Sequence, residues 1–314
     1  MKYLAIFVLI LIASCQNTEQ KKQSLEKVVI AHRGASGYLP EHTLAAKAMA
    51  YAMHPDYIEQ DVVLSKDDIP IVIHDIHLET VTNVAEVFPN RKREDGAFYV
   101  IDFTFEELKQ LRVHERFNPK TGKAIYPNRF PKNKSRFSLH SLAEEIELIQ
   151  GLNHSTGKNI GIYPEIKAPK FHNEEGKDIS KIVLKTLTEY GYTTKSDNCL
   201  LQCFDAKELE RIRKELNSEL YLVQLLEFES EIEQIPHYAT YADALGPWYA
   251  LLEDGRVMEL TTKYQLPVHT FTIRADQLGA FTSMEELLEK VFLEYQVDGV
   301  FTDQPDKVIE YLKS

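Results

Sequence analysis

The sequence predicts an α/β fold, a single TIM-type (β/α)8 barrel with a β-hairpin after its second strand and an inserted subdomain. Three observations carry this expectation. Short apolar runs rich in β-branched residues recur at positions 28–34, 57–63, 160–167, 199–204, 220–226, 242–248, 267–274 and 299–303, the rhythm of buried parallel strands. Stretches with apolar residues at helical spacing lie at 41–52, 142–152, 179–190, 206–216, 251–262 and 284–295, as crossover helices would. The roughly 285 residues from position 28 onward suit one closed barrel.

The elements follow in order from the N-terminus. Met1-Lys2 precedes an apolar run, 4–13, that ends in Ile12-Ala13-Ser14-Cys15. The run is too short to span a bilayer, and small residues before a cysteine suit signal cleavage and lipidation of Cys15. Residues 16–27 are polar, without Gly or Pro, and read as a flexible tether. The expected organisation is therefore a lipoprotein signal peptide at 1–14, a tether at 15–27 and the barrel at 28–314. The expected location is the bacterial cell envelope, on the periplasmic side. Gln16 stands where an Asp often retains lipoproteins at the inner membrane, which points to the outer one.

The second run is followed by another strand-like segment at 70–75, with only residues 65–69 between. A parallel crossover needs a dozen or more residues, so the two must form an antiparallel hairpin. With the turn centred between Asp67 and Asp68, Asp61 would face His74. From 76 to 137 the periodicity is lost amid dense charge, Pro and Asn, with one short amphipathic piece at 105–111. This reads as an inserted lid or substrate-recognition subdomain over the barrel mouth. Cys199 and Cys203 lie four apart on an expected strand, about 13 Å at full extension. That is too far for a disulfide, so both should be buried thiols.

A formal net charge of -12, with no basic cluster interleaved with aromatics, argues against a nucleic-acid partner. An anionic substrate would need local cations, which screening over roughly 8 Å allows to outweigh a distant acidic surface. There is no P-loop, no Gly-x-Ser-x-Gly elbow and no zinc spacing. Instead, ionisable clusters close the apolar runs: His32-Arg33-Gly34, Glu59-Gln60-Asp61, His74-Asp75 and Pro164-Glu165-Ile166-Lys167. The carboxyl ends of barrel strands form the active face, and charges buried there need partners.

Glu59 and Asp61, two apart on one strand, point to the same side. With Glu165 they form a carboxylate trio that would repel itself unless a hard divalent cation relieved it, Ca²⁺ or Mg²⁺. His32 and His74 suit a reaction in which one oxygen loses a proton and another gains one. Arg33 offers a planar fork for a phosphate, and Lys167 shares the face of Glu165. Gly34 and Gly37 would let backbone approach the ligand. His42 is intermediate between a structural and a functional reading. His54, His114, His140, His154, His172 and His237 have no comparable setting and read as structural or solvated. Asp303, just before Pro305, reads as a helix cap.

The motifs Ala31-His32-Arg33-Gly34, Leu39-Pro40-Glu41-His42-Thr43, Glu59-Gln60-Asp61, Ile73-His74-Asp75, Tyr163-Pro164-Glu165-Ile166-Lys167, Gln202-Cys203-Phe204 and Phe301-Thr302-Asp303 together resemble the glycerophosphodiester phosphodiesterase family. Within it they look like the periplasmic, calcium-using bacterial branch. Many relatives carry Asn where this chain has His42, a departure it shares with that branch. The resemblance implies Glu59, Asp61 and Glu165 as metal ligands, with Ca²⁺ favoured over Mg²⁺. It also implies His32 and His74 as acid and base, Arg33 and Lys167 at the phosphate, and Glu41 in support. The expected reaction releases sn-glycerol 3-phosphate and an alcohol from substrates such as glycerophosphocholine or glycerophosphoethanolamine. A phospholipase of the C or D type and an inactive surface-anchored binding protein are the alternatives.

Overall fold

In a computed structural model, residues 27–314 are described. The expected signal peptide, the lipidation site at Cys15 and all of the tether but Lys27 lie outside them. Among the described residues no helix is long and apolar enough to cross a membrane.

The barrel strands are β1 (Val28–Ala31), β2 (Tyr57–Leu64), β4 (Gly161–Ile166), β5 (Leu200–Cys203), β6 (Tyr221–Leu226), β7 (Ala244–Pro247), β8 (His269–Ile273) and β9 (Gly299–Thr302), with β3 (Pro70–Val72) outside the ring. Their order is β7-β6-β5-β4-β2-β1-β9-β8, parallel at every step. Isolated bridges between Leu245 and Val268 and between Trp248 and Phe271 join β7 to β8 and nearly close the ring. All eight apolar runs thus become barrel strands.

Strand alternation sorts the side chains. Ile58 and Val62 of β2 face outward into the main core against the helices, as do Val29 and Ala31 of β1. Ile30, Tyr163, Leu200, Val223, Ala244 and Phe301 fill the barrel interior. Each fully buried aliphatic side chain of this kind contributes about 1.5–3 kcal/mol. Two residues further along β1, β4 and β9 the same inward parity carries His32, Glu165 and Asp303, whereas on β5, β6 and β7 it carries Gln202, Leu225 and Gly246. Cys199 and Cys203 are buried free thiols, as expected.

The hairpin forms, but in a different register. Leu64 pairs with Pro70 and Val62 with Val72, so Asp61 faces Ile73, whose N–H donates to the Asp61 carbonyl at 2.9 Å. The loop 65–69 centres on Asp67 itself, closed by Ser65 N to Ile69 O at 3.0 Å with Asp68 in the left-handed region at φ 63°. That odd-numbered turn shifts the pairing by one residue.

Helix boundaries differ where the chain does something else. The first helix is Leu44–Met53, capped by Thr43, because Glu41 and His42 belong to a turn that serves the site. The stretch expected at 251–262 is broken by Gly255 (φ 78°) into a short 3-10 turn and the helix Arg256–Tyr264. The one expected at 284–295 changes after Met284–Glu289 into a π-helical turn.

The insertion is folded rather than patternless. Leu78, Val81, Val84, Phe98, Val100, Phe103, Leu108, Leu111 and Val113 form a second core with Val63, Ile71 and Ile73 of the hairpin. Its helices, Val84–Val87 and Phe105–Leu108, are only four residues long, too short to show a period.

Candidate active site

At the carboxyl ends of the strands a cavity of about 430 Å³ is lined by His32, Arg33, Glu59, Asp61, His74, Glu165 and Lys167. Seven of the residues singled out from sequence therefore meet in one place. Glu41, the eighth, sits just behind, its carboxylate 3.1 Å from Arg33 Nη1. The wall provided by β5 to β8 is different in kind: Phe204, Leu225, Trp248 and Phe271, with Glu227 at the rim.

The parity of β2 sends Glu59 and Asp61 into the cavity, and Asp61 lies level with Glu165 of β4. All three are buried, and the consequences for protonation are strong. Burial, then the neighbouring Asp61, pushes the Glu59 carboxyl well up. Burial raises Glu165 to about 8 despite Lys167 at 2.7 Å. Asp61 alone goes well below the ordinary range: burial opposes this, but Lys167, His74 and the His42 contact outweigh it. Three carboxylates in this space cannot all ionise without added positive charge.

Two further observations fit a divalent cation. Asp61 Oδ1 is buried with no hydrogen-bond partner among the described residues, its ion-pair partner Lys167 Nζ lying 3.5 Å away. Donor atoms of His42, Glu59 and Asp61 come within 4.8 Å of one another, a set that could hold a metal. His42 Nε2 lies 2.7 Å from Asp61 Oδ2, so this residue belongs to the site.

Each cavity histidine has a carboxylate on Nδ1. His32 Nδ1 lies 2.6 Å from Asp303 Oδ1, and His74 Nδ1 lies 2.5 Å from Asp75 Oδ1. This leaves Nε2 of each ring for chemistry in the cavity. Burial, followed by Arg33 and Lys167, lowers His74 to about 4. Burial and Arg33 do the same to His32 against the pull of Asp303. Both rings are neutral at pH 7. An anion bound between Arg33 and Lys167 would offset the cations that help keep them so.

Arg33 adopts a left-handed backbone, φ 59°. Its N–H donates to Glu59 Oε2 at 2.6 Å, and its Nε lies 3.4 Å from Asp61 Oδ2.

A model of the glycerophosphoryl diester phosphodiesterase family matches residues 32–307. The chain belongs to this family. It is 44% identical to a glycerophosphodiester phosphodiesterase of Haemophilus influenzae, over 95% of this chain and 92% of that one. It is 38% identical to one of Treponema pallidum, over 91% and 92%. A solved Oleispira antarctica phosphodiesterase in complex with the product sn-glycerol-3-phosphate shares the fold, with a TM-score of 0.67 and 22% identity over 93% of this chain and 98% of that one. So does a Silicibacter pomeroyi structure, with a TM-score of 0.71 and 21% identity over 91% and 94%.

For a member of this family, three sequence readings need correction. Asp303 is not a helix cap: Gln304 occupies that position, and Asp303 instead binds His32, Arg129 at 2.7 Å and Arg274 at 2.9 Å. Gly34 and Gly37 do not line the cavity, and their lack of a side chain serves packing. A Cβ on Gly34 would meet the Ala46 backbone at 2.8 Å, and one on Gly37 the Gln304 side chain at 2.3 Å. Arg116 and Arg129, from the insertion, went unrecognised; lone arginines in a charged segment carry no sequence signal. The structural reading of His140 and His172 fits their contacts, with Glu145 at 2.7 Å and the Leu64 N–H at 3.1 Å.

Proposed function

We propose that this chain hydrolyses glycerophosphodiesters, glycerophosphocholine and glycerophosphoethanolamine among them, to sn-glycerol 3-phosphate and an alcohol. The observation that carries the reading is the pair of histidines, each oriented through Nδ1 by an aspartate, lining one cavity with Arg33, Lys167 and the carboxylate trio. Arg33 and Lys167 receive the phosphate. One histidine takes the proton from the glycerol 2-hydroxyl, whose oxygen attacks phosphorus. The other, protonated once the bound phosphate offsets Arg33 and Lys167, donates its Nε2 proton to the departing alcohol. Water then opens the cyclic phosphate with the two roles exchanged.

Glu59, Asp61 and Glu165 would hold one divalent cation, because their oxygens suit a hard ion, and the resemblance to the calcium-using branch favours Ca²⁺ over Mg²⁺. His42, already bonded to Asp61, orients that ligand. When bound, the ion would supply positive charge to the phosphoryl oxygen and the glycerol hydroxyls. A lipid on Cys15 would tether the enzyme to the periplasmic face of the outer membrane, which the signal-like first 15 residues support.

The test is glycerol 3-phosphate release from glycerophosphocholine after chelation and again with Ca²⁺ or Mg²⁺ restored. Release that returns with the ion supports both the reaction and the site. A folded sample that releases none under any of these conditions refutes the proposed reaction.

A further inference from the structure

The second oxygen of each histidine-bound aspartate is taken by an arginine, and both arginines come from the insertion. Asp75 gives Oδ1 to His74 and Oδ2 to Arg116 Nη1 at 2.6 Å. Asp303 gives Oδ1 to His32 and Oδ2 to Arg129 Nη2 at 2.7 Å. We propose that Arg116 and Arg129 are positioning residues, through which the inserted subdomain sets the orientation of both histidines of the acid–base pair. This rests on the reading of His32 and His74 given above.

A carboxylate held at one oxygen can still rotate about its own bond and carry the imidazole with it. One held at both cannot. An aspartate fixed in this way keeps the ring in one tautomer and one plane. Each arginine is itself anchored away from the histidine. Arg116 grips Glu41 with two further bonds, Nη2 to Oε1 at 2.6 Å and Nε to Oε2 at 3.0 Å. Arg129 grips Asp276 at 2.7 and 2.9 Å, reaches the Ser36 carbonyl at 3.2 Å, and lies 3.6 Å from the centre of the Tyr126 ring. Its side chain is 4% exposed.

The two sides differ in one respect. Asp303 Oδ2 also accepts from Arg274 Nε at 2.9 Å, a residue at the end of β8. Among the described residues Asp75 Oδ2 has only the hydroxyl of Thr80, at 3.0 Å, besides Arg116. Loss of Arg116 should therefore cost more turnover than loss of Arg129.

The experiment measures kcat and KM for glycerophosphocholine, together with thermal melting, in Arg116→Met, Arg129→Met, Asp75→Ala and Asp303→Ala and in the paired variants. Misplacing a reacting group by about 1 Å can cost on the order of a hundredfold. Arg116→Met should lower kcat roughly tenfold to a hundredfold, with KM within about threefold of wild type; Arg129→Met should lower it less. In an Asp75→Ala background the Arg116→Met loss should largely vanish, whereas in an Asp303→Ala background it should persist in full. If Arg116→Met does not fold, Arg116→Lys replaces it, since an ammonium keeps the charge but cannot bridge both carboxylates in the same geometry. A melting temperature that falls while kcat holds would overturn the proposal. So would an Arg116 loss of equal size with and without Asp75. Wild-type release of glycerol 3-phosphate, measured beside these variants, tests the underlying reading separately.

Discussion

Lys47 offers a sharp test of how the carboxylate layer is supported. Its side chain is wholly buried, with Nζ 3.0 Å from Glu145 Oε1 and hydrogen-bonded to the Glu59 carbonyl. Glu145 also accepts from Gln60 Nε2 at 2.8 Å and meets His140 Nε2 at 2.7 Å. Burial pushes the Glu145 carboxyl up, yet Lys47, and after it His140, hold it at about 2 against an ordinary 4.5. Lys47→Met keeps most of the stem and removes the charge, leaving a buried carboxylate short of its main partner. The net shift, to which Lys47 is the largest favourable contributor beside His140 and Gln60, is on the order of 3 kcal/mol at about 1.4 kcal/mol per pH unit. It agrees with the roughly 3–5 kcal/mol typical of breaking one side of a buried pair. For a domain of this size each kcal/mol moves the melting temperature by about 2–4 °C, so the variant should melt roughly 10 °C lower at pH 7. Adding Glu145→Gln removes the stranded charge and should recover much of the loss. Because the folded Glu145 value is depressed, its contribution is present above the unfolded value and fades as pH falls from 4.5 towards 2. The difference between wild type and Lys47→Met should shrink over that window. Circular dichroism melts across pH 3–7 make the measurement. A single variant within about 2 °C of wild type, or a double variant no better than the single, would refute the reasoning.

Other expectations follow from the site and the barrel interior. His74→Ala should lower kcat at least about a hundredfold, the scale of general acid–base groups; near-normal turnover of glycerophosphocholine would rule out its proposed role. Asp61→Asn should weaken Ca²⁺ binding, read by isothermal titration, by more than the roughly tenfold that loss of an outer partner costs, and unchanged affinity would remove Asp61 from the ligand set. Burial lowers His269 to about 4 beside the Tyr163 hydroxyl at 3.0 Å, so between pH 6.5 and 4 the unfolded chain binds more protons there than the fold does. Stability from this residue is therefore present above pH 6.5 and lost as pH falls, by about 2 kcal/mol between pH 7 and 5. The unfolding free energy of wild type relative to His269→Gln, from urea titrations, should fall by that amount between pH 7 and pH 5, and a difference that does not change with pH would contradict it.

Much of this was legible because a barrel strand has only one choice to make at each residue. The inward parity that packs Tyr57 against the barrel interior also turns Glu59 and Asp61 inward, and the same counting on β4 pairs Tyr163 with Glu165. Asp303 was open to the same argument, since Phe301 points into the barrel and Asp303 shares its parity. Proximity to Pro305 favours a cap in the sequence, but the cap is Gln304 and strand parity is what places Asp303. The hairpin register turned on a single left-handed residue, Asp68, a conformation that Asp tolerates better than most residues but that either Asp67 or Asp68 could have taken. The insertion was opaque for a different reason. Its core collects residues from 63 to 139 in pieces of four residues or fewer, where neither helical nor strand periodicity has room to appear. Arg116 and Arg129 could not be told from the solvated charges around them until the chain was folded.

The opaque and the legible parts are joined by the length of one strand. β1 has four residues and β2 has eight. Beside β1, β2 pairs only through Tyr57 and Ile58, so past Asp61 it rises above the rim with that edge unpaired. β3 takes the edge, and two consequences follow. The chain returns towards the rim and delivers His74 and Asp75 beside the carboxylates. Val63, facing away from the barrel's main core, becomes with Ile71 the floor of the second core, on which the arginine-bearing segment is built. The overshoot of β2 thus supplies both the second histidine and the foundation of the subdomain that braces it. This is why an inserted segment without catalytic signatures of its own ends up bonded to the partners of both histidines.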